Sequence, residues 1–154
     1  MNTSSEAGSD HLTTRVVHRV EEGLVAAVDR LVPQLSETAS VPGRWELDQM
    51  IADPNAILIV AERAGVTVGL VALVVFRAPS GVHARIEDLV VDEHARGAGV
   101  TERLMRRALK TAAGRGATFV EVTCPESKVG VGRMYERLGF ERQSASALVC
   151  RLSG

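Results

Sequence analysis

Ile86-Glu87-Asp88-Leu89-Val90-Val91-Asp92, then Arg96-Gly97-Ala98-Gly99-Val100-Thr101, is the stretch on which the reading turns. His83 to Val91, with Ile86, Leu89, Val90 and Val91 as its apolar residues, reads as a central strand. From Val100 the period changes. Val100, Leu104, Ala108, Leu109 and Ala112 recur at helical spacing, while Arg103, Arg106, Arg107 and Lys110 face water. Two glycines between strand and helix let the backbone turn tightly and leave N–H groups bare. The helix start adds unpaired donors and the positive end of its dipole. Strand, loop and helix together make an anion cradle suited to a pyrophosphate. It is not a dinucleotide fingerprint, because the third glycine would fall at Glu102, and no Gly-Lys-Ser/Thr of a Walker loop occurs.

Outward from this segment the pattern alternates between strands and helices. Thr13 to Val20 reads as a first strand. Glu21 and Glu22 open a helix with apolar positions Leu24, Val28, Leu31, Val32 and Leu35, whose end Pro33 makes irregular. Trp45 to Ala52 is a short helix stopped by Asp53-Pro54. Ala56 to Glu62 and Val66 to Phe76 form a hairpin across Arg63-Ala64-Gly65, and Pro79-Ser80-Gly81 turns into the strand already quoted. Beyond Gly114-Arg115-Gly116, Ala117 to Thr123 is a strand. Val131, Met134, Tyr135 and Leu138 mark one face of a helix ended by Gly139, and Ala145 to Leu152 is expected to be the last strand. Residues 1–11 read as a disordered tail and residues 12–154 as a single mixed α/β domain.

Composition narrows the function. The 154 residues are 45% apolar and 24% charged, with a formal charge of -1, which speaks against disorder and against a nucleic-acid surface. Of the 18 basic residues only Lys110 and Lys128 are lysine, and arginine favours bidentate contacts with phosphate and carboxylate. The longest apolar run, Leu70 to Phe76, is too short for a membrane span, and the first residues lack a signal-peptide pattern. A cytoplasmic location is therefore expected. Cys124 and Cys150 form no disulfide framework and no metal motif, so both are expected to be buried thiols and no metal is expected.

The quoted segment resembles the acetyl-CoA motif of the GNAT (Gcn5-related) N-acetyltransferases, whose loop follows Arg/Gln-x-x-Gly-x-Gly/Ala. Met134-Tyr135-Glu136-Arg137-Leu138-Gly139-Phe140 is similar to the family's second signature, Tyr-Glu-x-Leu-Gly-Phe. The resemblance implies a twisted, mostly antiparallel sheet splayed between strands 4 and 5 and flanked by about four helices. It implies that acetyl-CoA lies in the splay, with pantetheine on Leu89, Val90 and Val91 and the pyrophosphate on Arg96, Gly97, Ala98, Gly99, Val100 and Thr101. Two positions depart from the pattern. Thr101 replaces Gly or Ala, so its hydroxyl either bonds a phosphate or distorts the loop. Lys128, Gly130, Val131 and Gly132 replace the usual Asn-x-x-Ala, and two glycines should loosen the helix start.

The implied activity is direct acetyl transfer to a primary amine. At neutral pH only about one such amine in a thousand is unprotonated, so a base must take a proton and an acid must supply one to the leaving thiolate. Glu87 and Asp88 are adjacent on a strand and should point to opposite faces. Ile-Glu-Asp-Leu resembles the corresponding stretch of polyamine and glucosamine-6-phosphate N-acetyltransferases, which makes Glu87 a candidate base. A substrate-ammonium contact, or an ion pair with Arg85 or Arg63, are the other readings. Asp88 is expected to be a structural anchor, and His83 is a secondary candidate base. Tyr135 is either a packed side chain or, by the family motif, the general acid. Cys124 has no His placed near it and is a poor nucleophile candidate. Trp45 either lines the acceptor pocket or packs in the core. The favoured acceptor is a small-molecule amine, polyamine-like or an amino sugar, rather than a protein. The rival reading is a non-catalytic acyl-CoA-binding regulatory module. The resemblance also implies a homodimer as a partner state, since members of the family are often dimers.

Overall fold

The computed structural model describes residues 11–127 and 129–152. The expected tail therefore lies outside the described residues except for His11, as does Lys128. The described chain falls into two compact units, one ending at Thr123 and one beginning at Cys124.

The first unit is a sheet of five strands in chain order: β1 Thr13–Val16, β2 Ala56–Arg63, β3 Val66–Ala78, β4 Gly81–Val91 and β5 Val120–Val122. Pairing is antiparallel from β1 to β4 and parallel between β4 and β5. β2 to β3 and β3 to β4 are joined by short turns, whereas two helices lie between β1 and β2. The expected hairpin forms, but its loop is only Ala64 and Gly65, both at positive φ, because Arg63 stays in β2 and pairs with Val66. The parallel pair needs a crossover, and α3 (Val100–Gly114) supplies it.

Each face of the sheet is covered. Leu58 and Val60 of β2 pack with Leu70 and Val90 against Leu24, Ala27, Val28 and Leu31 of α1 (Glu22–Leu31) and Leu47 of α2 (Arg44–Ala52). By strand alternation, Ile57, Ile59 and Ala61 point the other way, the face on which α3 lies. Leu104, Met105, Ala108 and Ala112 of α3 are wholly buried, as the helical period of that segment requires. Gly69 on β3 permits this close packing. A Cβ there would stand 3.1 Å from Leu104 Cδ1, 3.1 Å from the Val90 carbonyl and 3.2 Å from Val100 Cγ1. Pro33 ends α1 in a short 3₁₀ turn, Val32–Gln34, as its missing N–H dictates.

Several elements are shorter than the periodicity predicts. β1 stops at Val16 rather than Val20, and Val17 and Val20 turn instead into the core. β5 keeps only Val120–Val122 of the expected run. The second unit contains α4, Val129–Arg137, which forms despite Gly130 and Gly132. Ala145 to Leu152 is not a strand. Leu148, Val149 and Leu152 are 94%, 79% and 92% exposed, and no strand among the described residues pairs with them. Strand propensity measures fit to a neighbouring strand, and without one the alternating pattern has nothing to bury.

Candidate active site

The loop after β4 is held from both sides. Asp92 is buried at the strand end, and its N–H donates to the Val68 carbonyl at 2.8 Å. Its carboxylate accepts the His94 N–H at 3.1 Å and Arg30 Nε of α1 at 2.9 Å, while Arg30 also donates to the Thr67 carbonyl. The His94 N–H first, and then Arg30, hold the Asp92 carboxyl below the ordinary carboxylate range against the opposing effect of burial. No role for Asp92 is legible in the sequence. Its partner Arg30 lies 62 residues away, so no local pattern could reveal the bond.

Past this anchor, Gly97 and Gly99 adopt φ of 82° and 74°. No heavy atom lies within 4 Å of where either Cβ would stand, so the glycines serve the turn and the space above them is open. Gly99 is the N-cap residue of α3, and the first helical bond is Arg103 N–H to the Gly99 carbonyl, 3.1 Å. The N–H groups of Val100, Thr101 and Glu102 precede that bond and have no helical acceptor. Thr101 sits in the first turn of α3, which begins at Val100. Its hydroxyl has no hydrogen-bond partner among the described residues. Arg96 reaches back to the Val91 carbonyl at 3.4 Å.

β4 and β5 part beside this loop. Their pairing covers Ala84 with Val120, Arg85 with Glu121 and Ile86 with Val122, and stops there. β4 continues to Val91, so Leu89, Val90 and Val91 have β3 on one side and, among the described residues, no paired strand on the other. The expected splay thus begins at Glu87. The β3–β4 register steps from Leu73–Ile86 to Val71–Leu89, leaving Glu87 and Asp88 together opposite Ala72 in a β-bulge. Both are exposed, so strict alternation to opposite faces does not apply. Glu87 Oε1 meets Arg85 Nε at 3.2 Å, one of the partners expected for it. Asp88 is not the anchor expected of it, since no bond to its side chain occurs among the described residues.

The remaining candidates separate by burial. His83 is stacked between Phe119 (4.3 Å between centroids) and Phe76 (5.6 Å, edge-on), so its ring is a packing element of the β3–β4–β5 end. Trp45 is 69% exposed on α2, which removes it from the core. Cys150 is exposed and Cys124 only half-buried, against the expectation of two buried thiols; their stretches lack the packed strand that would have covered them.

Tyr135 belongs to the second unit. α4 ends in paired bonds, Phe140 N–H to the Tyr135 carbonyl at 3.0 Å and Gly139 N–H to the Glu136 carbonyl at 3.0 Å, with Gly139 at φ 93°. This is a Schellman cap, and its usual apolar contact is made by the Phe140 and Tyr135 rings, 5.5 Å apart. The Tyr-x-x-x-Gly-Phe spacing is therefore what a capped helix end needs. Tyr135 is buried, and burial first, then Cys124, pushes its hydroxyl above the ordinary tyrosine value, so it keeps its proton at neutral pH.

Comparison with known proteins agrees with this geometry. The model of the acetyltransferase (GNAT) family matches residues 24–140, and the chain belongs to that family. A glucosamine 6-phosphate N-acetyltransferase of Oryza sativa subsp. japonica is 42% identical over 55 residues, 36% of this chain and 32% of that protein. The match thus spans about a third of that relative's length. Among solved structures, an aminoglycoside acetyltransferase from an uncultured soil metagenomic sample, in complex with trehalose, superposes with a TM-score of 0.82 at 17% identity, covering 94% of this chain and 99% of its own. An aminoglycoside N-acetyltransferase in complex with CoA superposes at 0.77 and 14% identity, covering 92% and 95%. These two likenesses establish the fold. No helix among the described residues is long and apolar enough to cross a membrane.

Proposed function

We propose that this chain moves an acetyl group from acetyl-CoA directly to the primary amine of a small molecule, with an amino sugar as the leading class of acceptor. The observation that carries the reading is the junction of an open, donor-rich loop at Gly97–Thr101 with the unpaired edge of β4 beside it. Val100, Thr101 and Glu102 offer free N–H groups at the positive end of a 15-residue helix, which fits a pyrophosphate. Leu89 to Val91 offer backbone groups to an amide-bearing arm lying along the strand. Acetyl-CoA supplies the activated acyl group. The protein's own part is proton management.

Glu87, oriented by Arg85, takes a proton from the substrate ammonium. Tyr135, kept protonated by burial, gives one to the departing thiolate. The amino-sugar assignment is supported by the names of the rice relative and the aminoglycoside-modifying neighbours. A panel of amines assayed for CoA release tests the reading, with glucosamine 6-phosphate, an aminoglycoside, a polyamine and a lysine peptide as its arms. Turnover of an amino sugar is the expected result. Saturable CoA binding with no release on any amine would instead favour the non-catalytic module. Glu87→Gln should lower kcat by about 10²-fold or more. A loss confined to KM would make Glu87 an ammonium contact rather than the base.

A further inference from the structure

At the far side of the sheet from β4, a cleft of about 620 Å³ opens between β1 and α3. That volume lies within the range of small-molecule sites. Val16 and Ile57 give it apolar surface; Arg107, Thr111 and, just past the helix end, Arg115 line it from the α3 side, and Arg15, His18, Arg19 and the carboxylate residue Glu21 from β1 and the chain after it. Arg103, Arg107, Thr111 and Arg115 are four residues apart in turn, so they form one stripe along that helix.

The charges in the cleft do not cancel. Arg15 is matched by Glu62 at 2.9 Å and Arg19 by Glu21 at 3.0 Å. Arg115 donates Nη1 only to the Pro54 carbonyl, at 3.1 Å. Among the described residues no carboxylate meets Arg115, and no bond engages the guanidinium of Arg107. Two positive charges thus remain on the α3 side, above an apolar floor. Guanidinium forks suit planar, bidentate contact with oxyanions, and a surplus of two matches a phosphate dianion.

We infer that this cleft is a second anion site, taking a phosphate group carried by a small molecule. It is separate from the acyl-donor loop. Thr111 lies 11 residues beyond Val100, about 16 Å along the helix. β1 and β4 are three strand spacings apart, about 14 Å across the sheet. Both sites can therefore be filled at once. A long acidic peptide is the less suitable occupant, because the concave volume and two unmatched cations fit one compact dianion.

The test is a titration of the ¹⁵N-labelled full chain, with CoA in excess, by inorganic pyrophosphate in one arm and glucose 6-phosphate in another. Saturable shifts at the Val16, Ile57 and Thr111 amides are expected, and the tighter arm tells a polyphosphate source from a phosphomonoester. Arg107→Gln should weaken binding on the order of tenfold, the double variant with Arg115→Gln should abolish it, and Lys110→Gln, outside the cleft, should leave it unchanged. If Arg115→Gln loosens the helix end, Arg107→Gln alone decides. Shifts confined to residues 97–102 would overturn the inference. So would an equal loss in Lys110→Gln, or saturation by a hexaglutamate peptide with none by either phosphate.

Discussion

Replacing Gly69 by alanine tests the link between core packing and the loop most directly. The new Cβ would meet Leu104 Cδ1 and the Val90 carbonyl at 3.1 Å and Val100 Cγ1 at 3.2 Å. Ordinary carbon contacts lie at about 3.5–4.0 Å, so α3 or β4 must give by a few tenths of an ångström. Leu104 is wholly buried and Val100 is 2% exposed, which leaves neither side chain room to swing away. Overpacking of this kind costs about 1–3 kcal/mol, and the gain from replacing glycine in a strand offsets about 0.5–1 kcal/mol. A net loss of about 1–2 kcal/mol is expected, lowering Tm by about 2–8 °C. Because Val100 is the first residue of α3, displacing it also moves the free N–H donors, and CoA affinity should fall with stability. Urea unfolding with and without CoA measures both effects. Gly23→Ala is the control, since nothing lies within 4 Å of its Cβ position and it should be neutral or slightly stabilising. An unchanged or raised midpoint for Gly69→Ala, at constant m, would refute the packing argument.

Asp92→Asn should cost about 1–3 kcal/mol by weakening the charged bonds to Arg30 and the His94 N–H. Because the folded carboxyl is held low, its stabilisation is complete above the unfolded value of about 4 and is lost as pH falls through the lowered folded value. The variant's unfolding curve should therefore change less with pH below about 4 than the parent's. Tyr135→Phe keeps the ring contact with Phe140, so Tm should barely move, while kcat falls by about 10²-fold or more on the true substrate. With the hydroxyl pushed upward, any alkaline decline in rate should come only above about pH 10 and should vanish in this variant. Full kcat with chemistry rate-limiting would leave Tyr135 as a packing residue. Thr101→Ala should weaken CoA binding about three- to tenfold by removing a hydroxyl without a protein partner; unchanged affinity by calorimetry would show that the hydroxyl does not reach the phosphates.

What the sequence determined by itself is local and periodic. The hairpin at Ala64-Gly65, the α3 stripe, the Gly97–Gly99 turn and the capped end of α4 each rest on residues a few positions apart. Backbone sterics and side-chain period act at that range, so these features are legible without the fold. The tertiary structure decided what depends on distant partners. Arg30 reaches Asp92, Gly69 admits α3, and a bulge against Ala72 brings Glu87 and Asp88 out together. Ala145 to Leu152 has the alternation of a strand, but no strand among the described residues pairs with it, and a strand exists only where another completes its hydrogen bonds. The cleft beneath Arg107 has the same origin. Its two walls lie some 90 residues apart in the chain, between Arg15 and Arg107, and only the sheet edge brings them together.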